Sequence, residues 1–252
     1  MQLKDKVAIV TGAARGLGRA YAEALAREGA AVVAGDVRDC ADTVKAIHDA
    51  GGRALGVSLD VARLDSCKAT ADAAVKEFGR VDALVNNAAL YANLKGGRFD
   101  QLDEAQWDRV MQVNIKGVWN ACRAVVPLMR AQKSGSVINI SSLAPVYGLP
   151  YALDYSMSKG AVIAMTRSLA RELGRDWVRV NAVAPSAVMT EGTREFFGEK
   201  LDKAKQVIAQ GQSLQRNLEV EDLTGTIVYL ASDASKFVTG QTIMVDGGTV
   251  FT

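Results

Sequence analysis

The sequence predicts an α/β protein with a doubly wound parallel sheet and helices on both faces. Three observations support this class. Short runs rich in β-branched residues recur along the chain, longer segments of helical periodicity separate them, and each short run contains several consecutive apolar residues. A strand that is covered on both faces needs such a continuous apolar run, which is typical of parallel sheets between two helical layers.

Seven segments fit the strand pattern. In chain order they cover residues 7–11, 30–36, 54–60, 83–88, 136–141, 178–184 and 242–247. Turn-forming residues such as Gly, Asp and Asn are common where these runs end. Because successive parallel strands are joined by right-handed crossovers, we expect helices between them.

Helical periodicity is clearest in five of the intervals. They cover residues 16–28, 41–50, 104–129, 154–173 and 220–231. The interval 190–218 is the least patterned, and it follows the sixth predicted strand. Ligands of such sheets bind outside the carboxyl ends of the strands. We therefore expect one domain over residues 1–252, with a lid-like segment around residues 190–218.

Composition restricts the classes of function. The 252 residues are 49% hydrophobic and 23% charged, with a net charge of +2 and no Lys/Arg cluster. This argues against a nucleic-acid partner. Neither a signal peptide nor an apolar run long enough to span a membrane is found. Three cysteines outside CxxC pairs predict reduced thiols, so we expect a cytoplasmic protein without a metal site or membrane contact.

A glycine-rich turn follows the first predicted strand. TGAARGLG, residues 11–18, joins that strand to the first predicted helix. Glycines allow the backbone to approach a pyrophosphate closely, and a helix N-terminus offers free N–H groups and the positive end of its dipole. The turn predicts a dinucleotide site, with a purely structural turn as the alternative.

Three charged residues bear on which dinucleotide binds. Asp36 ends the second predicted strand, where a carboxylate can accept hydrogen bonds from the adenosine ribose and repel a 2′-phosphate. Arg15 could instead pair with that phosphate. Because a phosphate beside an unneutralised carboxylate is costly, we expect NAD, with NADP as the weaker alternative. Asp60, at the end of the third predicted strand, could reach the adenine edge.

The stretch YSMSK sets Tyr155 and Lys159 four residues apart, on one face of a predicted helix. The only histidine, His48, lies far from this stretch in the chain. An ammonium about 4 Å from the phenolate would contribute about 4 kcal/mol at an effective dielectric near 20, enough to lower the tyrosine pKa from about 10 toward 7. We therefore expect an acid/base pair, with a solvated surface pair as the alternative.

These motifs resemble those of the short-chain dehydrogenase/reductase family. The matching residues are TGAARGLG at 11–18, Asp60–Val61, NNAA at 86–89, Asn114, Ser142, YSMSK at 155–159, NAVAPS at 181–186, Thr190 and VDGG at 245–248. The resemblance extends over the whole chain. It implies a seven-stranded Rossmann-like fold and NAD(P)-dependent oxidation of alcohols or reduction of carbonyls. Apolar excess in the predicted helices 104–129 and 154–173, together with the resemblance, suggests a homotetramer.

The resemblance implies a role for each matching residue. Tyr155 would be the catalytic acid/base, Lys159 its partner, and Ser142 the group that polarises the substrate carbonyl. Asn114 would hold a water that links Lys159 to bulk solvent. Strand alternation does not decide between Ser141 and Ser142, although the family spacing favours Ser142.

A larger set is implied to contact the cofactor. It comprises Gly12, Arg15, Gly16, Leu17, Gly18, Asp36, Asp60, Val61, Asn87, Ala88, Tyr155, Lys159, Pro185, Val188 and Thr190. Ala89 and Ser186 depart from the family, which usually has glycine at both positions. Each adds a β-carbon beside the expected cofactor.

We expect an apolar substrate pocket. Its predicted lining is Tyr91, Ser142, Ala144, Tyr147, Tyr155 and Ala187. Such a lining suits a hydrophobic secondary alcohol or ketone of aryl, alicyclic or steroid-like type.

Two other functions stay open. A 3-oxoacyl-thioester reductase, acting on a carrier protein or coenzyme A, shares every motif. Asp36 argues against its usual NADPH, and the acidic Glu191, Glu195 and Glu199 argue against docking an acidic carrier. A nucleotide-sensing regulator without catalysis is the non-enzyme alternative, which the retained Tyr155 disfavours.

Overall fold

The computed structural model describes residues 1–92 and 94–251, and these residues form one seven-stranded parallel sheet in the order β3-β2-β1-β4-β5-β6-β7. The strands are β1 Val7–Thr11, β2 Ala31–Asp36, β3 Arg53–Ser58, β4 Ala83–Asn86, β5 Gly135–Ile140, β6 Val178–Pro185 and β7 Thr242–Val245. All strand pairs are parallel. The predicted fold class is confirmed.

Ten α-helices lie within these described residues. They are α1 Gly16–Arg27, α2 Ala41–Asp49, α3 Leu64–Phe78, α4 Glu104–Val110, α5 Gly117–Gln132, α6 Ala144–Tyr147, α7 Leu153–Leu173, α8 Glu191–Phe197, α9 Leu201–Gln210 and α10 Glu221–Ala231. None of the helices in this described part is long and apolar enough to cross a membrane.

The helix predicted over residues 104–129 is divided. A π-helical turn, Met111–Lys116, joins α4 to α5, and the Gly117 N–H donates to the Gln112 carbonyl five residues back. Apolar periodicity continues on both sides of this turn, so the sequence pattern does not reveal it. Such turns are frequent at functional sites.

Side chains that alternate along β1 pack into two apolar layers. Ala8 and Val10 belong to a core that includes residues of α1, α2 and α10. Ile9 belongs to a second core, formed with α3, α5 and α7. Both faces of the sheet are therefore covered, which explains the continuous apolar runs in the strands.

The order of strands reverses at β1. Val10 lies opposite Ala34 of β2 on one side and Val85 of β4 on the other. In a doubly wound sheet, a crevice forms at the carboxyl ends of the strands where the order reverses. The residues that follow β1 and β4 therefore meet at one place.

A chain of buried polar side chains ties the sheet to α7. Asn86 Nδ2 of β4 donates to Asn139 Oδ1 of β5 at 2.8 Å, and Asn139 Nδ2 donates to Thr166 Oγ1 of α7 at 2.9 Å. Thr166 Oγ1 in turn donates to the Val162 carbonyl at 2.8 Å. The three side chains are fully buried, so these bonds fix the position of the helix that contains Tyr155.

The 190–218 segment, the least patterned interval of the sequence, consists largely of α8 and α9. Its two ends are held together, because Val188 pairs with Leu218 and the Met189 N–H donates to the Leu218 carbonyl at 3.0 Å. The segment thus leaves the sheet and returns to it at one point. Its function as a lid stays a prediction.

Asn139→Ala should lower the free energy of unfolding by about 2–4 kcal/mol, because it leaves Asn86 and Thr166 buried without their partner. Urea denaturation followed by circular dichroism measures the loss. The control is Gln101→Ala, which removes an exposed amide and should change stability by less than about 0.5 kcal/mol. Equal effects of the two substitutions would contradict the role assigned to the buried chain.

Candidate active site

The glycine loop forms a tight concave turn at the end of β1. Gly12 and Gly16 have φ of +69° and +56°, values that favour glycine. A Cβ at Gly18 would overlap the Gly12 carbonyl oxygen and lie 2.6 Å from Asn87 Nδ2. Helix α1 starts at Gly16 without a side-chain cap from Arg15. The free N–H groups at the start of α1, which include that of Leu17, and the exposed backbone of the glycines fit a pyrophosphate.

Asn87 holds the glycine loop in place. Its Nδ2 donates to the carbonyls of Thr11 and Gly12 at 3.0 and 3.1 Å. The backbone N–H groups of Asn87 and Ala88 both donate to Thr11 Oγ1 at 3.0 Å. In this structure the Asn87 side chain therefore positions the glycine loop, and a direct cofactor contact by Asn87 or Ala88 stays a prediction.

Asp36 and Asp60, which were predicted beside the adenosine, use their carboxylates to accept hydrogen bonds from nearby backbone N–H groups. Asp36 accepts from the N–H groups of Ala14 and Arg38, both at 3.0 Å. Asp60 lies two residues beyond β3 and not at its end, because β3 stops at Ser58. Its Oδ1 accepts from the Ala62 N–H at 2.9 Å.

Val61 is buried beside Asp60, and its carbonyl accepts from Asn120 Nδ2 at 3.0 Å. This bond attaches the loop after β3 to α5. Val61 is thereby held at the same edge of the sheet as the glycine loop.

Arg15 points toward the 190–218 segment. Its guanidinium forms a bidentate ion pair with Glu195 of α8 at 2.7 and 3.2 Å, and Glu191 lies 3.7 Å away. Hydrogen bonding to Glu195 raises the Arg15 pKa, and the same contact lowers the pKa of Glu195. The basic residue expected to favour a 2′-phosphate is thus engaged by two acids.

The residues predicted beside the nicotinamide lie where β6 passes into α8. The Pro185 carbonyl, at the end of β6, accepts from the Leu143 N–H at 2.8 Å. Val188 is buried. Thr190 caps α8, because its Oγ1 accepts from the Thr193 N–H at 3.3 Å.

Two predicted catalytic side chains meet between β5 and α7. Ser142 and Tyr155 are joined by a side-chain hydrogen bond, which lowers the Tyr155 pKa. Ser141 is buried, and its Oγ donates to the Lys159 backbone carbonyl at 2.8 Å. The structure therefore distinguishes the two serines, since Ser142 faces the tyrosine and Ser141 anchors the helix.

Lys159 is nearly inaccessible, with 4% of its surface exposed. Its Nζ donates to the Ile140 carbonyl at 2.8 Å and lies 5.9 Å from the centre of the Tyr155 ring. Burial lowers the Lys159 pKa to about 8.

The expected fall of the Tyr155 pKa toward 7 is not found in this structure. Burial raises the Tyr155 pKa above its ordinary value, the Ser142 hydrogen bond opposes the rise, and Tyr91 adds to it. The physical reason is that desolvation penalises both the Tyr155 phenolate and the Lys159 ammonium, while the ammonium donates its hydrogen bond to the Ile140 carbonyl. The sequence shows the spacing of the pair but not its burial.

Asn114 lies in the π-helical turn and connects two parts of the site. Its Oδ1 accepts from the Leu90 N–H at 2.7 Å, and its Nδ2 donates to the Leu90 carbonyl at 3.2 Å and to Ser158 Oγ at 3.1 Å. These bonds attach the segment after β4 to α7. The predicted water between Asn114 and Lys159 stays a prediction.

Aromatic rings connect the tyrosine to the 190–218 segment. The Tyr91 ring lies 5.3 Å from that of Tyr155 and stacks on Phe196 of α8 at 5.0 Å. A hydrogen bond to Thr193 lowers the Tyr91 pKa, while burial, the larger effect, raises it. Phe196 was not among the predicted site residues, although the EFF run in an otherwise polar segment was a signal.

A groove of about 430 Å³ lies beside the start of α7. It is lined by Gly97, Arg98, Phe99, Ala144, Pro145, Gly148, Leu149, Pro150, Tyr151, Leu153 and Ser156. Of the six predicted substrate residues, one, Ala144, lies in this lining, whereas Tyr91, Ser142, Tyr147, Tyr155 and Ala187 do not. Tyr147 is 58% exposed and Ala187 is partly buried, and neither lines the groove. Their contact with substrate stays a prediction.

Comparison with known proteins agrees with this geometry. A family model described as Enoyl-(Acyl carrier protein) reductase matches residues 12–250. The 3-oxoacyl-(acyl-carrier-protein) reductase FabG of Thermotoga maritima is 40% identical over 253 residues, covering 99% of this chain and 100% of that protein. The structure of levodione reductase has a TM-score of 0.92 and 30% identity over 97% of each chain. The structure of carveol dehydrogenase from Mycobacterium avium, solved with NAD, has a TM-score of 0.92 and 30% identity over 98% of each chain.

These matches define the class of the protein. The chain belongs to the short-chain dehydrogenase/reductase family and is an oxidoreductase of the kind that uses a nicotinamide cofactor. Among its relatives, the FabG match favours the 3-oxoacyl-thioester alternative over the expected hydrophobic alcohol or ketone.

The burial of Lys159 predicts a pH-dependent stability. The unfolded chain binds the lysine proton up to its ordinary pKa of 10.5, whereas the folded chain releases it near pH 8. Between these values the unfolded state holds more protons, so wild-type stability should rise with pH. Relative to Lys159→Met, the rise should approach roughly 3 kcal/mol, as measured by urea denaturation from pH 7 to 10.5.

Lys68→Met is the control for this series, because Lys68 is an exposed lysine of α3. Its stability difference from wild type should stay flat over the same range. A pH-independent difference for Lys159→Met would contradict the buried, desolvated ammonium.

Proposed function

We propose that the protein reduces the ketone of a 3-oxoacyl thioester to the 3-hydroxy thioester, and runs the reverse reaction when product accumulates. The observation that carries this proposal is the partly buried Ser142–Tyr155 pair, close in the chain to Ala144 and Ser156, which line a groove of about 430 Å³. A groove along the surface suits an extended chain. The T. maritima relative, which matches over the full length of both chains, supports the same substrate class.

One argument against a thioester is weakened by the structure. Glu191, Glu195 and Glu199 were expected to repel an acidic carrier protein. Two of these acids, Glu191 and Glu195, lie within ion-pair distance of Arg15. Arg15 therefore offsets part of their negative charge, although both glutamate side chains stay exposed, at 67% and 40%.

Tyr155 and Ser142 act on the substrate oxygen. When bound, the nicotinamide cofactor supplies the hydride for reduction. The Ser142 hydroxyl donates a hydrogen bond to the oxygen as negative charge develops there. Tyr155 donates its proton to that oxygen, and its raised pKa keeps it protonated at neutral pH. This protonation state suits reduction, in which the tyrosine must act as an acid.

Lys159 supports the tyrosine after proton transfer. With a pKa of about 8, it is mostly protonated at pH 7. Its ammonium can therefore stabilise the phenolate and help return a proton to it. The helical spacing and the Ser141 anchor keep the lysine beside Tyr155 throughout.

We propose NAD(H) as the cofactor. Asp36 is held at the end of β2 beside the glycine loop, where its charge disfavours a 2′-phosphate. Carveol dehydrogenase, one of the similar structures, was solved with NAD. The other predicted contacts of the cofactor, among them Gly12, Gly18 and Thr190, belong to this proposal.

A second candidate substrate is a hydrophobic ketone or secondary alcohol. The Tyr91 ring, which stacks on Phe196 and lies tilted beside Tyr155, supports it, because aromatic walls favour a ring-shaped apolar ligand. The names of levodione reductase and carveol dehydrogenase point to compounds other than thioesters.

We further propose a homotetramer in the cytoplasm. Trp119 on α5 is 46% exposed and Met157 on α7 is 48% exposed. Apolar side chains at these positions suit burial against a second copy.

The test is a panel of acetoacetyl-coenzyme A, levodione and carveol with NADH/NAD and NADPH/NADP, in wild type and in Tyr155→Phe. We expect thioester reduction with NADH, and a loss of roughly 10²–10⁴-fold in turnover for the variant. NADH affinity, titrated by fluorescence, should stay the same. Tyr229→Phe, which removes the hydroxyl of an exposed tyrosine of α10, is the matched control and should keep full turnover.

Turnover of levodione or carveol alone would favour the second candidate. An active Tyr155→Phe variant would contradict the assigned acid for either substrate. Equal losses in the two tyrosine variants would do so as well.

A further inference from the structure

The ion pair between Arg15 and α8 joins the cofactor loop to a segment 180 residues away in the chain. Arg15 precedes α1 at the pyrophosphate turn, and its side chain is 31% exposed. Both nitrogens of its guanidinium fork donate to Glu195, and Glu191 lies on the preceding turn of α8. The guanidinium therefore binds Glu195 through the same pair of N–H groups with which it could otherwise bind a phosphate.

The charges around this ion pair are mainly negative. Glu195, Glu191 and Asp36 all act on the Arg15 guanidinium. Arg38 is a second cation near Glu195. Three carboxylates therefore face two guanidinium groups where the adenosine end of the cofactor is expected. A dianionic 2′-phosphate entering here must displace Glu195 or lie beside uncompensated carboxylates.

We infer that Glu195, with support from Glu191, is a specificity-determining residue that excludes NADP by keeping Arg15 engaged. The neutral 2′-hydroxyl of NAD needs no cationic partner, so NAD binds while Arg15 stays paired with Glu195. The inference rests on the proposed NAD preference and adds a residue that lies outside both the glycine loop and β2 and acts through Arg15. It also means that closure of the 190–218 segment and the choice of cofactor depend on the same contact.

The test measures binding of NADH and NADPH by fluorescence titration, without substrate, in wild type and in Glu195→Gln. The substitution keeps the side-chain shape and removes the charge. The ratio of the NADPH to the NADH dissociation constant should fall about tenfold, equivalent to about 1.4 kcal/mol. Glu199→Gln, at an exposed acid for which the described residues provide no ion pair, is the control and should leave the ratio unchanged.

A double-mutant cycle tests whether Glu195 affects cofactor selectivity through Arg15. In an Arg15→Met background, Glu195→Gln should change the ratio by less than about twofold, because the released guanidinium is the group that binds the phosphate. An undiminished fall in that background would overturn the inference, since the carboxylate would then act without Arg15.

The outcomes also separate this inference from the proposed cofactor. A wild type that binds NADPH as tightly as NADH contradicts the NAD proposal and, with it, the inference. A wild type that prefers NADH, with the same ratio in Glu195→Gln, overturns the inference alone. Neither result bears on the thioester assignment, because no substrate is present.

Discussion

The burial of the Lys159 ammonium against the Ile140 carbonyl is the constraint on which the site depends. A desolvated ammonium is costly unless it has a hydrogen-bond partner, and here the partner is backbone at the end of β5. Ser141 fixes the same turn of α7 from the sheet side. Tyr155, one turn earlier, is thereby held against Ser142. Burial of the Lys159 ammonium lowers the free energy of unfolding at neutral pH, and it places a cation 5.9 Å from the centre of the Tyr155 ring.

Periodicity and motif order were sufficient to predict the sheet, the bounds of α1, α2, α7 and α10, and the position of the glycine loop. These features follow from local patterns, such as the apolar run of β1 and the glycines at 12, 16 and 18. The π-helical turn was missed because its apolar spacing matches that of an ordinary helix. The Tyr155 pKa was expected to fall because spacing reveals proximity, whereas burial and the direction of Lys159 Nζ are tertiary properties.

The site also depends on contacts far apart in the chain, which no local pattern reveals. Arg15 pairs with Glu195, and Tyr91 stacks on Phe196, so α8 contacts the glycine loop directly and reaches Tyr155 through the Tyr91 ring. Exposed ion pairs contribute little to stability. Their effect here is on selectivity, for which a difference of about 1.4 kcal/mol is already tenfold. One short helix thereby connects the cofactor end of the site with the substrate end.

The most direct test of this account is the titration of Tyr155 itself. Tyrosine labelled with ¹³C at Cζ reports ionisation by NMR, and Tyr155→Phe identifies its signal. Without cofactor, Tyr155 should stay protonated beyond the ordinary tyrosine pKa of about 10, because burial raises its pKa. With NAD⁺ bound, the positive nicotinamide ring should move the titration to lower pH. Ionisation near pH 7 in the cofactor-free protein would contradict the account, since spacing alone would then tune the tyrosine.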